Sequence, residues 1–117
     1  MDITTELEGN ILIARLAGEL DIETVQAFRE KVVPETERPG VKTLILNLNK
    51  VSFIDSTGIG AILGRYRFLE KKGGKVLLVG LKAPVKKIIK MAGLLEIMPE
   101  YSSEEKALNE IGEGRIA

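Results

Sequence analysis

Two short, almost uninterrupted aliphatic runs, residues 44–48 and 76–79, limit the folds open to this chain of 117 residues. Runs of this length, rich in Leu, Ile and Val, are typical of strands buried on both faces. Segments with helical spacing of apolar residues precede, separate and follow them. Alternation of buried strands and helices predicts an α/β fold with a mixed, mostly parallel sheet of four to five strands and about four helices.

The remaining elements are predicted from apolar spacing and from turn residues. Strand-like runs at 3–7 and 11–16 meet at Glu8-Gly9-Asn10, a hairpin signal. Residues 94–98 are predicted as an edge strand before Pro99. A helix is expected from Ile22 to Pro34, with Ile22 on its apolar face. Further helices are expected after Asp55, from Pro84 and from Ser102. The predicted order is β-β-α-β-α-β-α-β-α, in one domain over residues 1–111 with a frayed tail at 112–117.

Two missing residue types exclude much chemistry. The chain has no cysteine, which excludes disulfides, thiolate metal sites and cysteine nucleophiles. It has no histidine, which removes histidine-ligated metals, the serine–histidine triad and the commonest general base. No cofactor or metal is therefore predicted. An acidic, alternating start and the lack of a long apolar run predict a cytoplasmic domain.

The net charge of zero conceals an uneven distribution. Residues 1–40 carry −5, residues 41–92 carry +9, and residues 93–117 carry −4. A basic middle is one signature of a nucleic-acid or anionic surface. The chain has only two tyrosines and three phenylalanines to stack on bases, and its lysines are spread over several elements. We therefore expect charge balance within the molecule, with no direct nucleic-acid or membrane contact.

The segment 53–60 joins a buried strand to a helix, at the strand end where ligands and partners usually meet such sheets. Asp55, Ser56 and Thr57 fall at the helix start, and the simplest interpretation is a helix cap. A single capping side chain would suffice for the helix, however, and this segment offers three. Gly58, Gly60 and Gly64 also weaken the helix, which indicates close approach of another backbone, from this sheet or from a partner.

Enzyme motifs fail at this segment. The third glycine of a dinucleotide fingerprint is replaced by Leu63, no Gly-Lys-Ser/Thr completes a phosphate loop, and no Gly-x-Ser-x-Gly elbow is present. A hydroxyl at a helix start is instead suited to modification. Phosphorylation of Ser56 would add about −1.5 to −2 charges beside Asp55, which a closely packed partner would have to desolvate. The sequence therefore favours a binding protein over an enzyme.

Residues 53–66, Phe-Ile-Asp-Ser-Thr-Gly-Ile-Gly-Ala-Ile-Leu-Gly-Arg-Tyr, closely resemble the phosphorylation-site segment of anti-sigma factor antagonists, which are small stand-alone STAS domains. The sporulation type has Asp-Ser-Ser-Gly at this point. Weaker matches at 18–21, 73–75 and 91–95 extend the resemblance over nearly the whole chain.

The resemblance implies a regulator that switches partners. The unphosphorylated domain is expected to bind an anti-sigma factor that is also an ATP-dependent serine kinase, which frees the sigma factor; phosphorylation weakens the complex and a serine phosphatase restores it. Ser56 matches the phosphoacceptor. Asp55, Thr57, Gly58 and Gly60 would shape the partner-binding site, and Asp21 would line it from a facing loop. Thr57 replaces the second Ser and raises the question of its own modification.

Two other functions stay open at this stage. The first is a nucleotide-binding domain with phosphate at the helix that begins at Ser56, which titration with ATP or GTP without a kinase would reveal. The second is a STAS scaffold subunit of a stress-signalling assembly, which a concentration series in sedimentation would reveal.

Overall fold

The computed structural model describes residues 1–112, which form one sheet of five strands with helices on both faces. The strands are β1 (Asp2–Glu8), β2 (Ile11–Leu20), β3 (Thr43–Ile54), β4 (Lys75–Val79) and β5 (Glu100–Tyr101). The helices are α1 (Val25–Lys31), α2 (Val33–Thr36), α3 (Ser56–Glu70), α4 (Ala83–Met91) and α5 (Glu104–Gly112), with a 3-10 turn at Leu94–Glu96. The predicted α/β class and element order are confirmed.

The strands lie in the order β1-β2-β3-β4-β5. The predicted hairpin joins β1 and β2, the only antiparallel pair of this described sheet, and every later pair is parallel. The two aliphatic runs are adjacent, with Leu44 opposite Val76 and Leu46 opposite Leu78. Both runs are buried on both faces, as predicted, because helices cover each side of β3 and β4.

The two faces of the sheet are covered unequally. Helices α1, α3 and α4 bury Phe28, Ile62 and Ile89 against one face, in the larger core cluster. Helix α5 packs Ala107 against Ile13, Ile45, Leu77 and Val79 on the opposite face. None of the described helices is long and apolar enough to cross a membrane.

The edge strand predicted at residues 94–98 is wrong. Leu94–Glu96 form the 3-10 turn, and the N–H groups of Ile97 and Met98 both donate to the Leu94 carbonyl. Leu94 and Met98 are buried together, a four-residue spacing that belongs to a helical turn and not to a strand. The edge strand is β5, only two residues long, beyond Pro99.

The first helix also departs from its predicted limits. Ile22 was expected on its apolar face but lies in the preceding loop, 73% exposed, and α1 begins at Val25. Pro34 was expected to end the helix but occupies the first turn of α2. Proline is tolerated there because a first-turn N–H has no partner within the helix.

The predicted tail at 112–117 falls almost entirely beyond the structural description. Gly112 is the last residue of α5, and residues 113–117 lie outside the described residues.

A polar network attaches α5 to the sheet. The Arg15 guanidinium donates from Nε to Glu104 Oε2 at 2.8 Å and from Nη2 to Glu104 Oε1 at 2.9 Å. Asn47 Nδ2 donates to the same carboxylate at 2.7 Å, and Glu6 pairs with Arg15 at 3.0 Å. The Arg15 hydrogen bond holds the pKa of Glu104 below its ordinary value, although partial burial opposes this shift.

We expect Glu104→Gln to lower the free energy of unfolding by about 1 kcal/mol at pH 7, since Arg15 is partly exposed and its charge is screened. A carboxyl whose pKa is lowered by folding stabilises the fold above its unfolded pKa, and this contribution is lost as pH falls through the folded pKa. Urea unfolding at pH 7 and below pH 4 should show the difference between wild type and variant shrinking in acid.

Glu105→Gln is the matched control, because Glu105 is exposed and shares the first turn of α5. Equal losses in the two variants, or a Glu104→Gln loss that does not depend on pH, would show that the network does not anchor this helix.

Candidate functional site

The site lies where β3, the central strand of the sheet, passes into α3. Asp55 is the N-cap of α3, with extended backbone, and its side chain accepts hydrogen bonds from the N–H groups of Thr57 at 2.9 Å and Gly58 at 3.0 Å. The predicted cap is therefore real, and Asp55 alone provides it. Ser56 and Thr57 are not needed for capping.

Asp55 also connects this helix start to the loop after β2. Its Oδ1 atom accepts the two helix bonds, while Oδ2 accepts the Ile22 N–H at 3.1 Å. Its own N–H donates to the Leu20 carbonyl at 3.2 Å. The carboxylate thus fixes two neighbouring loops relative to each other and is occupied by backbone donors.

Asp21 organises the facing loop through backbone hydrogen bonds. Its Oδ1 atom accepts the N–H groups of Glu23 at 3.0 Å and Thr24 at 3.1 Å. The Thr24 hydroxyl closes the loop by donating to the Glu19 carbonyl at 2.6 Å. Asp21 is half-buried, and the loop that it organises is joined to Asp55 through the Ile22 N–H.

Ser56, in the first turn of α3, is exposed. Its hydroxyl makes no hydrogen bond to any residue in the 1–112 range, and it projects from a helix start whose cap is already complete. Thr57 is half-buried, so the two adjacent hydroxyls differ in access. A reagent or enzyme approaching this surface meets Ser56 first.

The three glycines of α3 differ in how closely another backbone approaches them. A Cβ atom on Gly58 would lie 2.5 Å from the Leu20 carbonyl oxygen, so this sheet requires glycine there. At Gly60 and Gly64 a Cβ atom would meet nothing within 4 Å. Close packing within the domain explains the first glycine and leaves the other two on an open surface.

An open groove of about 410 Å³ runs from Ser56 along α3. It is lined by Arg29, Val33, Ser56, Thr57, Gly60, Ala61, Gly64 and Arg65. The Arg65 guanidinium is held in the wall, donating to the Thr36 hydroxyl at 2.9 Å and pairing with Glu37. Arg29 is exposed and makes no ion pair within the part of the chain that the structure describes.

The helix start is a poor phosphate cradle as it stands. The N–H groups of Thr57 and Gly58, which a bound phosphate would use, already donate to a carboxylate. A free nucleotide would have to displace Asp55 or approach it against like charge. Residues 1–112 contain no group of acidic side chains suited to hold a metal ion.

Two residues that α1 and its preceding loop bring near Ser56, Ile22 and Arg29, were not predicted from the sequence. Ile22 was assigned to a helix face, and Arg29 was not singled out. No local pattern marks either residue, because both reach the site through the crossover from β2 to β3. The excess of charge in the middle of the chain gave no indication either, since Arg29 lies in the acidic first third.

Comparison with known proteins gives a consistent set of relatives. The STAS domain model matches residues 2–107. An anti-sigma F factor antagonist from Paenibacillus polymyxa is 37% identical over 95% of this chain and 97% of its own. The unphosphorylated form of the anti-sigma factor antagonist SpoIIAA superimposes with a TM-score of 0.82 at 32% identity, over 94% of this chain and 96% of that one. The phosphorylated form of SpoIIAA, a Bacillus cell fate determinant, gives 0.76 at 32% identity, over 94% and 99%.

Proposed function

The chain belongs to the STAS domain family, and we propose that it is an anti-sigma factor antagonist controlled by phosphorylation of Ser56. Unphosphorylated, it binds an anti-sigma factor that is also an ATP-dependent serine kinase and so releases the sigma factor. The kinase transfers a phosphoryl group to Ser56 and the complex weakens; a serine phosphatase restores the docking form. The chain acts as a binding regulator in the cytoplasm and not as an enzyme.

One observation carries this proposal: the Ser56 hydroxyl is exposed and unbonded within residues 1–112, at a helix start already capped by Asp55. A kinase has access to it without unfolding the domain. The phosphorylated side chain stays within the fold, because the positive end of the helix dipole favours an anion by about 0.3–1 kcal/mol.

The other site residues have separate roles in this proposal. The carboxylates of Asp55 and Asp21 accept backbone hydrogen bonds that fix the positions of the two loops. Gly58 permits the close contact of α3 with Leu20, and so shapes the site from beneath. Gly60 leaves the groove open for the partner, and Thr57, half-buried, is the second hydroxyl beside the acceptor.

The switch follows from desolvation. A phosphoryl group brings about −1.5 to −2 charges and three acceptor oxygens to a point next to the Asp55 carboxylate. A partner that packs over Ser56 in the unphosphorylated form would have to strip the water from that charge beside the Asp55 carboxylate, which costs several kcal/mol. Binding is lost while the domain stays folded.

The test is incubation with candidate anti-sigma factor kinases and ATP, followed by mass spectrometry of the modified peptide. We expect one phosphoryl group, on Ser56, and none on a Ser56→Ala variant. Phosphorylation at a distant residue, with Ser56 unmodified, would require a different site. Label on Thr57 in the Ser56→Ala variant alone would identify Thr57 as a secondary acceptor.

A further inference from the structure

Five large apolar side chains are exposed in the described part of the chain, and none of them belongs to the core. They are Leu7, Ile22, Phe53, Met91 and Ile97. Two of the five, Ile22 and Phe53, belong to the two segments that the Asp55 carboxylate joins just before Ser56. Ile22 is 73% exposed, and its N–H donates to the Asp55 carboxylate. Phe53 is 44% exposed and is the second-last residue of β3, just before Asp55. We call Ile22 and Phe53 the apolar pair.

The apolar pair is held in place and not loosely attached. The loop that carries Ile22 is closed by the Asp21 and Thr24 hydrogen bonds and tied to α3 through Asp55. Phe53 is fixed by the pairing of β3 with β2, opposite Glu19. A backbone that is ordered before binding loses little entropy on docking, so the apolar side chains that it carries contribute efficiently to affinity.

One acidic side chain neighbours each member of the apolar pair, and we call these two carboxylates the acidic rim. Glu19 lies opposite Phe53 in the sheet, and Glu23 follows Ile22 in the loop. Both are exposed, and neither makes an ion pair with another residue of the 1–112 range. An apolar centre within an acidic rim is complementary to an apolar surface within a basic rim.

We propose that the anti-sigma factor docking on Ser56 receives Ile22 and Phe53 on an apolar surface bordered by cations that face Glu19 and Glu23. This inference rests on the proposed function, because it assigns the occupant of the same site. It places Ser56 next to the dry centre of the interface, where a phosphate must lose its water. The acidic rim stays solvated and governs how fast the proteins meet.

The chain provides matched controls for a binding test. Ile22→Ser is compared with Met91→Ser, since these side chains are 73% and 78% exposed. Phe53→Thr is compared with Leu7→Thr, since both lie in strands and are 44% and 45% exposed. Against the anti-sigma factor that phosphorylates Ser56, each variant of the apolar pair should bind about 10-fold more weakly, through faster dissociation. Each control should bind within about 2-fold of wild type.

The role of the acidic rim, Glu19 and Glu23, is tested by measuring the association rate constant. Glu19→Gln combined with Glu23→Gln should lower the association rate constant about threefold at low ionic strength, with little change in dissociation. The difference should disappear in about 1 M salt, where the screening length is about 3 Å.

The outcomes separate this inference from the function on which it rests. If the wild type binds and is phosphorylated on Ser56, while Ile22→Ser and Phe53→Thr bind like their controls, the inference is overturned and the proposed function stands. If the wild type binds no anti-sigma factor, both fail. Self-association that Ile22→Ser abolishes would assign the pair to a second copy of this chain and overturn the proposal. If Phe53→Thr lowers the melting temperature, its binding result is set aside, and the binding of Ile22→Ser alone tests the proposal.

Discussion

Ser56→Asp should abolish docking on the anti-sigma factor, with affinity falling by at least about 100-fold, the cost of burying one uncompensated charge. The domain itself should stay folded. The helix dipole favours an acidic residue in the first turn, while the adjacent Asp55 carboxylate repels it, so the melting temperature should change little. Isothermal titration with the anti-sigma factor measures the first effect, and thermal unfolding measures the second.

Two variants control for the position and for the charge. Ser56→Ala removes the hydroxyl without adding charge and should bind within about 3-fold of wild type. Ser102→Asp adds the same charge at an exposed serine before α5, on an element that packs on the opposite face of the sheet, and should bind as wild type does. A folded Ser56→Asp protein that binds undiminished would refute the charge mechanism.

Gly58→Ala should lower the free energy of unfolding by about 1–3 kcal/mol, the range for overpacking a close-packed contact. The added Cβ atom would lie 2.5 Å from the Leu20 carbonyl oxygen and 2.9 Å from carbon atoms of Ile54 and Leu20. All three neighbours belong to the sheet, so α3 has to move away from β2 and β3. The displacement begins at the helix start and therefore also disturbs Ser56. Chemical denaturation measures the loss directly.

Gly60→Ala provides the contrast two residues further along the same helix. A Cβ atom there meets nothing within 4 Å, so only the helix propensity changes, and stability should rise by up to about 1 kcal/mol. Binding to the anti-sigma factor should nevertheless weaken, because the methyl group projects into the groove that the proposed partner occupies. If the free energy of unfolding of Gly58→Ala were higher than that of Gly60→Ala, the close packing of α3 on Leu20 would be contradicted.

The sequence predicted the parts of the fold that depend on local pattern. The aliphatic runs at 44–48 and 76–79 are buried strands because each must be covered on both faces, and only a crossover fold with helices on both sides of the sheet does this. The cap at Asp55 was also predictable, since a short acidic side chain after a strand and before a helix has one favourable geometry.

The errors arose where tertiary packing decides between similar patterns. Residues 94–98 were predicted as an edge strand, but the burial of Leu94 with Met98 selects a helical turn. Pro34 was taken as a helix end, although the same residue is favourable in a first turn. Ile22 was placed in a core face from spacing alone, but the loop it occupies is shaped by a hydrogen bond to Asp55, 33 residues away. Contacts of that range leave no periodic signal in the sequence.

The most direct test compares the chain phosphorylated on Ser56 with the same preparation after treatment by a serine phosphatase. Both samples are titrated against one anti-sigma factor, and intact mass confirms the state of each. We expect tight binding by the dephosphorylated protein and affinity lower by at least about 100-fold for the phosphorylated protein, with the two melting temperatures alike. Equal affinities of the two forms would contradict control of docking by phosphorylation of Ser56.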